Sequence, residues 1–267
     1  MTSRLLTIAR FATRFGRLRE LVRKVKARLR PGYTAEALED YRAWLIEHQA
    51  DLESTLAGAD PEGWKAAVAY AEAFDARARK RLSELPVELG GAAHVELLYY
   101  LVKRLKPTVV VETGVAAGFS SRAILDAIDE NGAGHLYSSD FPYFRLPNPE
   151  QYIGVLVDES QRGHWTLMTD GDRANLPRIF NQVDRIDLFS YDSDKSVQGR
   201  AYAMKLAEAR MHAGTFCVMD DINDNPFFRD YLAQTGRVLG EDALVMQYQN
   251  KYVGLIGPVA TLLAPSG

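Results

Sequence analysis

The 267-residue chain predicts an α/β fold, a mainly parallel seven-stranded sheet covered by helices and preceded by a helical extension. Three observations carry this. From Lys106 onward, short β-branched or aromatic runs alternate with helical stretches, the pattern of a parallel sheet covered on both faces. Near the carboxyl end, two apolar runs separated by Asn250-Lys251 read as a β-hairpin. The first 90 residues carry helical periodicity instead, so the chain divides into an extension (1–90) and an α/β domain (91–267).

The extension opens with an amphipathic stretch. Leu5, Ile8, Phe11, Phe15, Leu18, Val22, Val25 and Leu29 recur at steps of three and four, so they share one face of a helix over residues 3–30. The other face is rich in Arg, and Pro31-Gly32 stops the helix. Residues 1–30 hold ten Arg or Lys and a single acid, Glu20; this is +9, against −12 for the rest of a chain whose net charge is −3. Three readings of the segment stand: a helix packed on the domain or a partner subunit, a helix on a membrane surface, or a targeting presequence. Helices follow over 34–57 and 61–85, with Pro61 suited to a first helical turn, and then over 92–105.

In the domain, strands are expected at 108–111, 135–139, 165–168, 186–191 and 215–219. Helices are expected at 120–128 and 198–210. The hairpin strands, 243–249 and 252–256, add an antiparallel strand expected at the sheet edge. The apolar fraction of 47% and charged fraction of 25% belong to an ordinary soluble chain, and no apolar run nears the roughly 20 residues of a membrane span. One cysteine, Cys217, excludes an internal disulfide and a cysteine-based zinc site, and fits a cytoplasmic, reducing compartment.

In an open α/β sheet, ligands bind beyond the carboxyl ends of the strands, so those ends hold the candidate site. After the first strand comes Glu112-Thr113-Gly114-Val115-Ala116-Ala117-Gly118-Phe119-Ser120-Ser121. Its glycines let the backbone turn and approach a ligand, and the helix beyond offers free N–H groups. The spacing is Gly-x-x-x-Gly, not the dinucleotide pyrophosphate pattern, and Glu112 suits an ammonium or hydroxyl group better than a phosphate. The second strand ends at Asp140, placed to accept from a ribose diol. The third is followed by Asp170-Gly171-Asp172, where backbone and carboxylate can read an adenine edge.

The fourth strand runs into Asp192-Ser193-Asp194-Lys195 and the fifth ends Met219-Asp220-Asp221. Adjacent parallel strands bring Asp192 near Asp220 and Asp221, and three crowded carboxylates need a proton or a cation. Oxygen-only donors select Mg²⁺ or Mn²⁺, which would bind a substrate hydroxyl as a Lewis acid. Lys195 is placed to take the hydroxyl proton if its pKa is lowered. Two stretches are candidate substrate walls: residues 141–164, with Tyr143, Phe144 and Tyr152, and Asn223-Asp224-Asn225-Pro226-Phe227-Phe228. His135 and His212 read as structural, whereas His164 borders the first wall.

Asp192-Ser193-Asp194-Lys195, then a strand ending Asp220-Asp221, resembles the metal-dependent O-methyltransferases of the catechol and caffeoyl-CoA type. Glu112-Thr113-Gly114-Val115-x-x-Gly118-Phe119-Ser120 resembles that family's S-adenosylmethionine (SAM) loop, and the likeness spans about residues 90–257. It implies a Rossmann-like methyltransferase sheet. It implies SAM contacts from Glu112, Thr113, Gly114, Gly118, Ser120, Asp140, Gly171, Asp172 and Asp192, a metal on Asp192, Asp220 and Asp221, and Lys195 as general base. The family usually has Asp-Asn where this chain has Asp220-Asp221. Macrolide-sugar O-methyltransferases of related fold carry two acids there but a histidine in place of Lys195. The expected acceptor is a small-molecule hydroxyl of a sugar or a catechol-like diol, the paired acids favouring the sugar, and the expected assembly is a homodimer. A nicotinamide-dependent oxidoreductase and a non-catalytic binding protein are the rival classes. Nucleic-acid modification is not expected from an acidic domain.

Overall fold

The computed structural model describes residues 20, 22, 23, 26, 32–91, 94–143, 146, 148–248 and 251–264. The amphipathic stretch 3–30 therefore falls outside the described residues except at Glu20, Val22, Arg23 and Lys26, as do Phe144, Gln249 and Asn250.

Thr34 caps helix α1 (Ala35–His48), accepting from Ala37 N at 3.1 Å. Strand β1 (Gln49–Asp51) and helix α2 (Leu52–Ala59) follow, and Asp60 caps the long α3 (Pro61–Ser83), where Pro61 occupies the first turn. Helix α4 (Val95–Leu105) leads into β2 (Val109–Thr113), α5 (Phe119–Asn131), β3 (His135–Ser139), β4 (Trp165–Met168), α6 (Asp172–Phe180) and β5 (Leu188–Tyr191). Then come α7 (Val197–Glu208), β6 (Phe216–Met219), α8 (Phe227–Thr235), β7 (Ala243–Tyr248), β8 (Lys251–Ile256) and α9 (Val259–Leu262).

The strands form one sheet in the order β1-β7-β8-β6-β5-β2-β3-β4. Two expectations are corrected. The sheet has eight strands, not seven, because β1 from the helical extension pairs in parallel with β7, Gln49 opposite Val245. The antiparallel strand is not at the edge: β8 lies inside the sheet, antiparallel to both β6 and β7. Its interior place fits its buried run from Val253 to Ile256.

Each face of the sheet carries its own apolar layer. Helices α2–α5 cover one, through Leu56, Trp64, Phe74, Leu101 and Ile124. Helices α1, α6, α7 and α8 cover the other, through Tyr41, Leu45, Leu176, Met204 and Phe228. The described part of the extension thus contributes to both cores. A helix buried on nearly every side, α4 has seven buried residues between Val95 and Val102, and Tyr99 stacks on Tyr70 of α3 with centroids 3.9 Å apart. Among the described residues, no helix is long and apolar enough to cross a membrane.

Chain direction across the sheet reverses between β2 and β5, which are neighbours although β3 and β4 lie on β2's other side. A crevice opens at such a point, at the carboxyl ends of the strands.

Candidate active site

On one side of this crevice the backbone does most of the building. Gly114 N donates to Ser139 O at 2.9 Å, and Asp192 N donates to Thr113 O at 3.0 Å, so the ends of β2, β3 and β5 are tied together. Gly114 has φ +86°, and a Cβ there would run into the Asp192 carbonyl, so only glycine fits. Gly118, at φ +98°, packs against Gly154. The loop's Ala116 N donates to Asp140 Oδ2 at 2.9 Å, and Phe141 N donates to Oδ1 at 2.6 Å. Burial pushes the Asp140 carboxyl up to about 7 against these two bonds, with the charges of Asp172 and Glu112 adding to the rise. Asp172 opens α6 after Gly171 and accepts from Ser139 Oγ at 2.7 Å and Ser193 Oγ at 2.5 Å. Gly114, Ala116, Asp140, Phe141, Tyr143, Asp172, Asp192, Ser193 and Glu20 line a small cavity at this end.

Glu112 lies behind that lining. It is 1% exposed, its Oε2 accepts from Ser121 Oγ at 2.6 Å and Ser138 Oγ at 2.8 Å, and its Oε1 has no partner. Burial raises its pKa over the opposing hydroxyls. Thr113 is also fully buried, and Ser120 is half-buried on the first turn of α5. Within the first expected wall, residues 149–164 brace the loop after β2: Gly154 N donates to Ala116 O at 2.9 Å and Leu156 N to Ala117 O at 3.0 Å. Of the first expected wall, Phe141 and Tyr143 reach the small cavity. His164 is exposed at the amino end of β4, away from the strand ends that form the crevice.

On the other side, charge does the building. Asp192, Asp220 and Asp221 present carboxylate oxygens within 4.8 Å of one another. Lys195 Nζ pairs with all three: with Asp192, with Asp220 Oδ2 at 2.7 Å and with Asp221 Oδ2 at 3.1 Å. Lys251 Nζ reaches Asp221 Oδ1 at 3.0 Å. Burial alone would lower the Lys195 pKa, but the three carboxylates outweigh it and raise it. Burial pushes Asp192 up to about 8, against Lys195 and helped by Asp220. For Asp220, burial is outweighed by the hydrogen bond from His94 and by Lys195, which together hold it far below the usual carboxylate range.

Sequence reading missed three groups that hold this cluster. His94, 2% exposed, donates from Nε2 to Asp220 Oδ1 at 2.5 Å; the carboxylate can only accept, which fixes the ring nitrogen as donor. It sits at φ +49° just before α4, its Nδ1 is buried without a partner, and Tyr248 packs edge-on against it at 4.9 Å. Arg200, fully buried on α7, donates to the Asp220 carbonyl at 3.1 Å and the Asp221 carbonyl at 2.7 Å. Asn225, from the second expected wall, instead lies beneath the site: it donates to Lys195 O at 2.6 Å and accepts from Arg200 Nη1 at 3.2 Å. Asp221 itself is held at φ +48°, a left-handed conformation uncommon for a residue with a side chain. Beside Tyr248, a second cavity of about 1100 Å³ opens between α3, residues 85–91 and the start of α4.

A parallel sheet with an internal antiparallel strand and a crevice at the β2/β5 switch defines the Rossmann-like fold of class I methyltransferases, and comparison bears this out. Residues 111–222 match the family model described as a methyltransferase domain. Among solved structures, an O-methyltransferase, TomG from Streptomyces achromogenes, involved in tomaymycin synthesis and solved with SAM, is similar at 17% identity and TM-score 0.52, over 69% of this chain and 89% of that one. A putative O-methyltransferase from Klebsiella pneumoniae is similar at 16% identity and TM-score 0.51, over 70% and 89%. No curated protein matches the sequence. The resemblance is thus borne out in the Rossmann-like fold and, over residues 111–222, in a methyltransferase domain.

Proposed function

We propose that the protein is a SAM-dependent O-methyltransferase whose acceptor hydroxyl is activated at Asp192, Asp220, Asp221 and Lys195. The carrying observation is the meeting of three carboxylates and one lysine at the ends of β5 and β6, directly beside the loop after β2. The donor set is all hard oxygen, fixed from beneath by Arg200 and from the side by His94, and it fits a divalent cation such as Mg²⁺ or Mn²⁺. A cation on those acids would supply Lewis acidity to an acceptor hydroxyl and draw the carboxylates away from Lys195, which they now hold protonated. SAM bound in the crevice would supply an electrophilic methyl group. Asp140 would accept from its ribose and residues 170–172 would meet its adenine.

The chain's own residues then have three tasks. Lys195 Nζ, neutral once its own proton has left to solvent, takes the proton of the acceptor hydroxyl. Asp192, at once beside the small cavity and in the acid cluster, aligns donor and acceptor for in-line displacement; such alignment is worth roughly 7–11 kcal/mol. Arg200 and His94 hold the Asp221 backbone and the Asp220 side chain in place for both tasks. The paired acids Asp220 and Asp221, in place of the usual Asp-Asn, support a sugar-bearing acceptor over a lone catechol ring.

One observation favours a second reading. Lys195 and Lys251 already pair with the acids and His94 hydrogen-bonds Asp220, so the cluster holds together without a metal, with Lys195 as a fixed cation rather than a base. Calorimetry with S-adenosylhomocysteine (SAH), followed by methyl transfer from labelled SAM to a panel of glycosides and catechols with and without EDTA, tests both. Tight SAH binding with EDTA-sensitive transfer to a glycoside is expected. Transfer to catechols alone overturns the acceptor class, and no SAH binding overturns the function.

A further inference from the structure

Residues 1–30 contain one acid among ten basic residues, and that acid is the one buried against the cofactor crevice. Glu20 is 5% exposed and lines the small cavity with Asp140, Phe141 and Asp172, more than 100 positions away in the chain. It packs on the bare Cα of Gly171: a Cβ there would lie 3.3 Å from Glu20 Cγ and 3.2 Å from the Phe141 ring. Arg23 fixes the placement. It donates from Nε to Glu20 Oε2 at 3.0 Å, pairs again through Nη2 with Oε1, and reaches Asp194 on the β5–α7 connection through Nη1. Asp194 is itself 9% exposed, and its Oδ1 accepts from Ser196 N at 3.1 Å. A bidentate, partly buried arginine fork of this kind holds its partner in one orientation.

We propose that Glu20 is a cofactor-binding residue, a carboxylate delivered by the N-terminal segment to the adenine end of the crevice, with Arg23 as its positioning residue. The inference rests on the reading of the crevice as a SAM site. Asp172, the acid expected from sequence to read adenine, takes a Ser139 and a Ser193 hydroxyl, one on each oxygen. Asp140 takes two backbone N–H groups. Glu20 likewise takes one Arg23 donor on each oxygen among the described residues, and a carboxylate has about four lone-pair sites, so all three acids keep acceptor capacity; what sets Glu20 apart is its packing on Gly171 beside the Phe141 ring. Beside Gly171 and the Phe141 ring, those sites match the exocyclic amino group of an adenine, which donates two hydrogens. The role also explains why a segment so basic carries its one acid at this position.

The test is calorimetric titration of the full-length protein with SAH and with S-inosylhomocysteine, which carries a carbonyl in place of the amino group. Wild type, Glu20→Ala and Arg23→Ala are compared, with thermal melts to confirm that each variant is folded. Glu20→Ala is expected to weaken SAH at least tenfold and to shrink the preference for SAH over the inosyl analogue at least fivefold. Arg23→Ala is expected to weaken SAH severalfold while keeping part of that preference. SAH affinity within twofold of wild type in Glu20→Ala, tighter binding, or an unchanged preference would overturn the proposal. Failure of wild type to bind SAH at all would instead overturn the function on which it rests.

Discussion

The two halves of the crevice are built by different means. At the ends of β2, β3 and β4 the geometry is set by backbone: positive-φ glycines, amide hydrogen bonds to Asp140, and serine hydroxyls on Asp172. At the ends of β5 and β6 it is set by charge, with Lys195 among three carboxylates and Arg200 and His94 holding their backbone and side chains. Backbone-built sites are shaped before a ligand arrives, so their substitutions are felt in folding and binding together. Charge-built sites are balanced between alternatives, so their substitutions are felt in protonation, cation binding and chemistry while the fold survives.

The largest effect should come from breaking the backbone half. Gly114→Ala places a side chain at φ +86° against the Asp192 carbonyl; strain of about 1–3 kcal/mol from the dihedral alone, plus the clash, should lower the melting temperature and remove detectable SAH binding. Retained affinity would show that the loop can be rebuilt. On the charged half, Lys195→Ala should slow transfer by about 10²–10⁴-fold, the usual scale for a general base, while SAH affinity and melting temperature change little. A variant equally impaired in SAH binding would mean that Lys195 is structural.

A smaller effect separates the halves by pH. Asp140 is raised to about 7 when folded, and only its ionised form accepts two hydroxyl hydrogens. SAH affinity should therefore rise about tenfold between pH 6 and pH 8, whereas Asp140→Asn should bind weakly with a flat profile. An identical slope in both proteins would assign the titration elsewhere. The smallest effect is expected far from both halves. Arg81 pairs with Asp158 at 3.1 Å with both side chains nearly half exposed, so Arg81→Ala should cost less than about 1 kcal/mol in denaturant unfolding. A larger loss would show that the brace over the β2 loop depends on this pair.

Residue type and spacing made the strand ends legible, because a parallel sheet delivers successive strand ends to one edge. That is why Gly114, Asp140, Asp172, Asp192 and Asp220 could be placed at one crevice before their contacts were known. Their partners were not legible. His94 precedes a helix by one residue and meets Asp220 only through tertiary packing, 126 positions away. Arg200 reads as an ordinary helical arginine, yet its side chain is turned inward to two carbonyls. Strand β1 has three residues, none β-branched, and exists because β7 offers it an edge. Glu112 suits a ligand's ammonium group by type and position, yet its carboxylate is buried and bonded by the Ser121 and Ser138 hydroxyls.

Under the proposed function, the charge-built half exchanges Lys195 for a cation before methyl transfer. Electron paramagnetic resonance titration of Mn²⁺ into the SAH-saturated protein tests it most directly. One bound Mn²⁺ per chain, lost in Asp220→Ala and retained in Lys195→Ala, is the predicted result. No stoichiometric Mn²⁺ in the wild type, with SAH bound, would contradict it and leave the lysine as the acids' working partner.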